Sequence, residues 1–151
     1  MHPAVGTTAP SLSLRSQHGQ TIAPVGAGRA VLLVFFPFAF SGICSAELSG
    51  LSADADVYAD AGVDVAAISC DPVYALRALA DRDGLRLTLL SDFWPHGEVA
   101  RAYGCFDDGI GAPRRSSFLL DAAGTVRWSV HHDVGDERPA ALHRGAILSL
   151  A

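Results

Sequence analysis

Val31-Leu32-Leu33-Val34-Phe35-Phe36-Pro37-Phe38-Ala39-Phe40-Ser41-Gly42-Ile43-Cys44-Ser45-Ala46-Glu47-Leu48 is the stretch around which the chain is organised. Val31–Phe36 is a continuous apolar run, too short for an ordinary helix and without a polar face. It reads as a strand buried on both sides, in the middle of a parallel sheet. Pro37 cannot donate to a ladder and ends it. Beyond a short loop, Leu48, Leu51, Ala55 and Tyr58 recur at helical spacing. A helix therefore begins near Gly42, with Cys44 in its first turn. A helix start exposes unpaired N–H groups and roughly half a positive charge. Both favour thiolate over thiol, and the thiolate is the reactive species. Cys44 is the candidate nucleophile; the competing reading is an inert buried thiol.

The 151 residues, half of them apolar, suffice for one domain spanning 1–151 with a sizeable core. A net charge of −5 gives no electrostatic reason to bind nucleic acid or an anionic membrane. No apolar run approaches the roughly 20 residues of a membrane span. The start, Met1-His2-Pro3-Ala4-Val5-Gly6, lacks the basic-then-apolar order of a secretory signal. Three widely spaced cysteines argue against a disulfide framework and suit a reducing cytoplasm.

Read in order, weak alternation at 12–14 and 21–23 predicts an N-terminal hairpin turning at His18-Gly19. The Cys44 helix stops at Gly62, and Val63–Ser69 is a second buried strand. Asp71-Pro72 then predicts a helix start, with Asp71 capping and Pro72 in the first helical position. Leu76, Leu79 and Ala80 form its inward stripe, and Gly84 ends it. Leu87–Leu90 is a short strand opening into the Ser91–Gly97 loop. Glu98–Tyr103 is a short helix closed by Gly104, and 105–114 reads as an irregular loop. Ser116–Asp121 and Thr125–Val130 flank Ala122-Ala123-Gly124 as a hairpin. Pro139 opens a last helix through Leu142, Ile147 and Leu148. This order predicts an α/β fold with a mixed central sheet, helices on both faces and an N-terminal hairpin.

Pro37-x-x-x-Ser41-x-x-Cys44 resembles the Pro-x-x-x-Thr/Ser-x-x-Cys signature of the peroxiredoxins, thiol peroxidases of thioredoxin-like fold. Arg115-Ser116-Ser117-Phe118-Leu119-Leu120-Asp121 fits the strand that follows this family's active-site arginine. Phe36–Cys44 and Ser91-Asp92-Phe93-Trp94-Pro95-His96-Gly97 are similar to the one-cysteine, AhpE-like subgroup. The resemblance runs from about Val5 to the last helix. It selects the thioredoxin-like fold, which element order alone does not.

The strand Val31–Phe36 delivers Cys44 at its carboxyl end, where open α/β sheets place their sites. If Ser116–Asp121 lies antiparallel beside it, Arg115 faces Cys44. A strand-start arginine by itself reads as a solvated charge. The resemblance assigns Arg115 to the thiolate and the peroxide, and leaves Arg114 solvated. Ser41 reads as the helix N-cap, accepting from the Cys44 N–H; the resemblance adds contact with thiolate and peroxide. Pro37 would shield the thiolate in this resemblance, besides ending the strand. Glu47 reads as lying in the first turn, where the macrodipole favours a carboxylate, and the resemblance implies that it orients arginine side chains. Phe38, Phe40, Phe93 and Trp94 either wall an apolar mouth or pack the core and a dimer face. Cys70 and Cys105 read as inert packing, with a resolving role as the other option. The adjacent His131-His132 do not make a metal site, because neighbours on a strand point apart.

The resemblance thus implies a thiol-dependent peroxidase. The Cys44 thiolate would take an oxygen from hydrogen peroxide, an organic hydroperoxide or peroxynitrite and become sulfenic acid. An external thiol, or a thioredoxin- or glutaredoxin-like reductant, would restore it, with no bound cofactor and no metal. A homodimer or higher homo-oligomer follows from the resemblance alone. The alternative is a redox-sensing or chaperone-like binding protein switched by Cys44 oxidation. No cysteine lies four or five residues after Cys44, and a long-lived sulfenic acid is a usable signal.

Overall fold

A computed structural model describes residues 1–150. Along the chain run β1 (Leu14–Ser16), β2 (Thr21–Ile22), β3 (Ala30–Phe35), α1 (Gly42–Ala53), α2 (Ala55–Asp60), β4 (Val63–Ser69), α3 (Val73–Asp83) and β5 (Thr88–Ser91). There follow α4 (Glu98–Ala102), β6 (Phe106–Asp107), β7 (Ala112–Pro113), β8 (Arg115–Leu120), β9 (Val126–His132), α5 (Ala140–Ala146) and a 3-10 turn at Ile147–Leu150. The main sheet has the order β2-β1-β5-β4-β3-β8-β9. The apolar run sits near its centre, parallel to β4 and antiparallel to β8. Phe36 lies just past β3 yet still donates its N–H to Ile68 O at 2.9 Å, extending the pairing up to Pro37.

Alternation along β3 divides the core in two. Leu32, Val34 and Phe36 face α1, α2, α3 and α5 through Cys44, Leu48, Tyr58, Leu76, Leu79 and Ala146. Val31, Leu33 and Phe35 face the other way, onto Val99, Ala100 and Tyr103 of the α4 segment, Cys105 and the N-terminal Ala9 and Leu12. The mixed sheet with helices on both faces is the arrangement expected from the sequence.

Four local expectations are corrected. The helical spacing from Leu48 to Tyr58 is not one helix; it breaks at Asp54, whose N–H bonds back to Gly50 O and Leu51 O. Residues 105–114 are not wholly irregular, since Phe106 pairs with Pro113 and Asp107 with Ala112. Pro139 is the N-cap residue of α5, and helical hydrogen bonding gives way to a 3-10 turn at Ile147. Asp71 does not cap α3. Pro72 holds the N-cap position without a side-chain bond, and the Asp71 carboxylate instead accepts from Ala39 N at 2.9 Å and Ser69 Oγ at 2.7 Å. An acceptor expected to serve its own helix is thus spent on the loop leading to Cys44. The αL stop at Gly84, φ 61°, is as read from the sequence.

Candidate active site

Cys44 is the third residue of α1 and has no solvent-exposed surface. Its helix follows the Pro37–Ser41 loop, so the sulfur lies at the carboxyl end of β3. The antiparallel register that sets Val34 opposite Ser117 brings the start of β8 to that same end. Arg115, 2 % exposed, points from there into the α1 layer. Its Nη1 donates to Cys44 Sγ at 3.2 Å and to Glu47 Oε1 at 2.5 Å, while Nε donates to Val134 O at 2.6 Å. Arg114 points outward and sits 3.6 Å from Asp107, so it is exposed but paired.

Glu47 is buried in the second turn of α1, and the first turn carries no acidic residue. What holds its charge is therefore not the helix start but two guanidiniums. Arg138, 1 % exposed, donates from N, Nε and Nη2 to the Glu47 carboxylate at 2.7, 2.9 and 3.0 Å. Burial alone would push the Glu47 carboxyl up. The hydrogen bonds and charge of Arg138, with Arg115 behind, outweigh it and hold the group below the usual carboxylate range.

Arg138 Nη1 also donates to Ser117 Oγ at 2.9 Å, and Ser117 Oγ lies 2.8 Å from His143 Nε2. With the arginine donating to it, the hydroxyl keeps its own proton free for an unprotonated Nε2, and a neutral imidazole allows that contact. Burial, and then the Arg138 charge, push His143 down to about 4, which keeps it neutral.

Ser41 occupies the N-cap position of α1 with extended backbone, but its hydroxyl caps nothing. Its Oγ is buried without a hydrogen-bond partner, although the sequence suggested the Cys44 N–H. An unpartnered buried hydroxyl is costly unless something else fills the role. Pro37 is buried at the base of the same loop. Phe38, Phe40, Phe93 and Trp94 are 43, 45, 49 and 81 % exposed, which removes core packing as their role.

Cys70 and Cys105 are both buried and free. Cys105 packs in the layer on the far side of the sheet. Cys70 is buried beside Ser69, just past the end of β4. Burial, and then the charge of Asp92, push both thiols up to about 12. His131 and His132 are split by strand alternation; His131 stacks on His2 with ring centroids 3.5 Å apart. Among the described residues no group of three or more His, Cys, Asp or Glu could hold a metal ion.

The AhpC/TSA family model matches residues 5–129. The chain belongs to that family, the peroxiredoxins. It is 38 % identical over 148 residues to alkyl hydroperoxide reductase E of Mycobacterium tuberculosis, covering 97 % of each chain. Peroxiredoxin Bcp of Escherichia coli is 34 % identical, with 85 % of this chain and 90 % of that one covered. Among solved structures, peroxidoxin BcpB of M. tuberculosis superposes with a TM-score of 0.84 at 25 % identity, over 99 % of this chain and 97 % of the other. AhpC of Enterococcus faecalis gives 0.88 at 23 % identity, over 98 % and 93 %. The fold is thioredoxin-like.

Arg138, Ser117 and His143 were not singled out from the sequence. One signal pointed to the first. Glu47 follows Cys44 by three residues and precedes Leu48, so it faces inward, and a buried carboxylate needs cationic partners. One arginine cannot balance both that carboxylate and a thiolate. Which arginine completes the set is decided by the turn between β9 and α5.

Proposed function

We propose that Cys44 is the residue this enzyme oxidises. The chain is a thiol-dependent peroxidase, an oxidoreductase that consumes a peroxide and a thiol. The observation that carries the assignment is the hydrogen bond from Arg115 Nη1 to Cys44 Sγ at a buried helix start. A charge count agrees. Arg115 and Arg138 bring two positive charges to the cluster and Glu47 one negative charge. A Cys44 thiolate closes it at neutrality, whereas a thiol would leave a buried positive charge uncompensated.

In this reading the Cys44 thiolate attacks the terminal oxygen of hydrogen peroxide, an organic hydroperoxide or peroxynitrite, in line with the O–O bond. The sulfur–oxygen bond forms as the O–O bond breaks, and the electron pair leaves on the second oxygen. Arg115, the Ser41 hydroxyl and the first N–H groups of α1 stabilise that departing charge. Protonation of the leaving oxygen gives water or an alcohol, and from peroxynitrite nitrite leaves as the anion. Buried Pro37 keeps solvent from the sulfur. Cys44 becomes sulfenic acid.

An external thiol, small or carried by a thioredoxin- or glutaredoxin-like protein, then returns Cys44 to the reduced state. The support is that Cys70 and Cys105 are both buried, and that Cys105 packs on the far side of the sheet. Such a reductant belongs to a reducing compartment, the cytoplasm. No helix among the described residues is long and apolar enough to cross a membrane. Exposed Phe38 of the Cys44 loop, and exposed Phe93 and Trp94 of the segment after β5, support association into a homodimer or higher homo-oligomer.

Stopped-flow oxidation with the three peroxides, followed by turnover with a supplied thiol, tests the assignment. Cys44→Ser should lose at least about a thousandfold in the second-order rate, as expected for removal of the nucleophile. A variant that still reacts fast would end the reading.

A further inference from the structure

Cys44 has no exposed surface. The peroxide is small, but a reducing thiol must bring its own sulfur into contact with the oxidised Cys44. The segment from Pro37 to Ser45 therefore has to move between the two half-reactions, and what pins it sets how readily it does.

Besides Arg115, which holds the sulfur itself, two side chains outside the segment hold it. Asp71 Oδ2 accepts from Ala39 N at 2.9 Å. That oxygen also accepts from Ser69 Oγ at 2.7 Å, and the Asp71 carbonyl accepts from Ser91 Oγ at 2.6 Å. Asp71 is thus anchored to the ends of β4 and β5, and it fastens the loop to them. Arg82 of α3 is the second tether. Its Nη2 donates to Ser45 Oγ at 3.2 Å, and its guanidinium lies 4.9 Å from the centre of the Phe40 ring. Asp83 steadies that guanidinium by accepting from Arg82 Nε and Nη2.

The segment does little to hold itself. The Ser41 side chain makes no capping bond, and before the first helical bond, Ser45 N to Ser41 O at 2.9 Å, the loop's own backbone bond is Ser41 N to Phe38 O at 3.4 Å. Phe40 has φ +69°, a left-handed conformation sparsely populated by bulky residues. Such a conformation persists only where the surroundings over-determine it.

We propose that Asp71 and Arg82 are positioning residues whose tethers set the balance between a closed Cys44 loop, which reacts with peroxide, and an open one, which reacts with thiol. The proposal rests on the assignment of Cys44 above. Closed, the thiolate takes one oxygen from the peroxide, and the other leaves with the electron pair. Open, a thiol attacks the sulfenic sulfur, and the hydroxyl leaves as water with the thiol proton. A second thiol then splits the mixed disulfide, freeing Cys44 and releasing the oxidised reductant as its disulfide.

The two half-reactions measured separately provide the test, using hydrogen peroxide in one and 2-mercaptoethanol with pre-oxidised enzyme in the other. In Asp71→Ala the oxidation should slow and the reduction should quicken, each by roughly threefold to tenfold, the range for one lost hydrogen bond. Asp71→Asn keeps an acceptor for the Ala39 N–H and should restore both rates. Arg82→Ala should move both rates in the same directions but by less, because Arg82 is 49 % exposed. Salt should carry the wild type toward that variant. Loss of structure alone would slow both steps. Rates that fall together, or do not change while the wild type turns over, overturn the tethers. A wild type that does not consume peroxide overturns the assignment of Cys44 instead. If Asp71→Ala does not fold, the opposed signs in Arg82→Ala decide alone.

Discussion

Arg115 Nη1 stands 3.2 Å from Cys44 Sγ and 2.5 Å from Glu47 Oε1, so one guanidinium nitrogen bridges the candidate nucleophile and a buried carboxylate. Its Nε is occupied by Val134 O, which fixes the fork in place. Geometry, and not charge alone, is what this arginine supplies.

Arg115→Lys keeps the charge and loses the planar fork. It should cost about 2–4 kcal/mol of transition-state stabilisation, the range for one preorganised donor. Arg114→Lys should be nearly silent, since its partner is the exposed-side Asp107. The second-order rate with hydrogen peroxide measures both; equal losses would show that the wrong neighbour has been chosen.

Glu47→Gln leaves buried Arg138 without its counter-charge and Arg115 with the Cys44 sulfur alone. Breaking a buried ion pair from one side destabilises by about 3–5 kcal/mol. Urea unfolding should register a loss of that size, and the oxidation rate should fall as the Arg115 fork loses its brace. A midpoint within about 0.5 kcal/mol of wild type, the range of a plain surface substitution, would contradict the buried network.

Acid should destabilise the fold in a window set by histidine. Burial, then the Arg138 charge, push His143 down to about 4; burial, then His2, push His131 there too. Unfolded, each titrates near 6.5. Between those values the unfolded chain binds more protons than the folded one, so stability rises with pH. It is fully present above about 6.5 and is lost as pH falls toward 4. Glu47, held low, contributes a further loss only below its ordinary value. His143→Gln keeps an acceptor for Ser117 and does not titrate. Its Tm should therefore fall less steeply than that of wild type across this window. Parallel Tm curves for the two would refute the assignment.

One equivalent of peroxide without reductant should leave Cys44 as a trappable sulfenic acid. Intact mass after trapping should show one adduct, in wild type, Cys70→Ser and Cys105→Ser alike. A disulfide needs Cα atoms within about 7 Å, and Cys105 is separated from Cys44 by the sheet. Rapid loss of two hydrogens from the monomer, or a disulfide-linked dimer, would make this a two-cysteine enzyme.

Tertiary context overrode local propensity at three points close to the site. Asp71 had the composition of a helix cap and became a loop tether, because Ala39 N presented a donor from 32 residues away. Ser41 held the capping position but not the capping bond. The spacing from Leu48 to Tyr58 fitted one helix, yet the chain broke at Asp54 and restarted as α2.

From the sequence alone came the buried central strand, the proline that ends it, the helix bearing Cys44 and, through the family motif, the arginine that opens β8. These are legible because each rests on residues adjacent in the chain, where apolar period, proline geometry and motif spacing act locally. The closing of the charge network was decided only by the tertiary structure. Glu47 and Arg138 are 91 residues apart, and Arg138 reaches its partner from the turn after β9. No local pattern encodes that distance. A buried carboxylate announces that cations are needed, but only the packed sheet and helices determine which ones arrive.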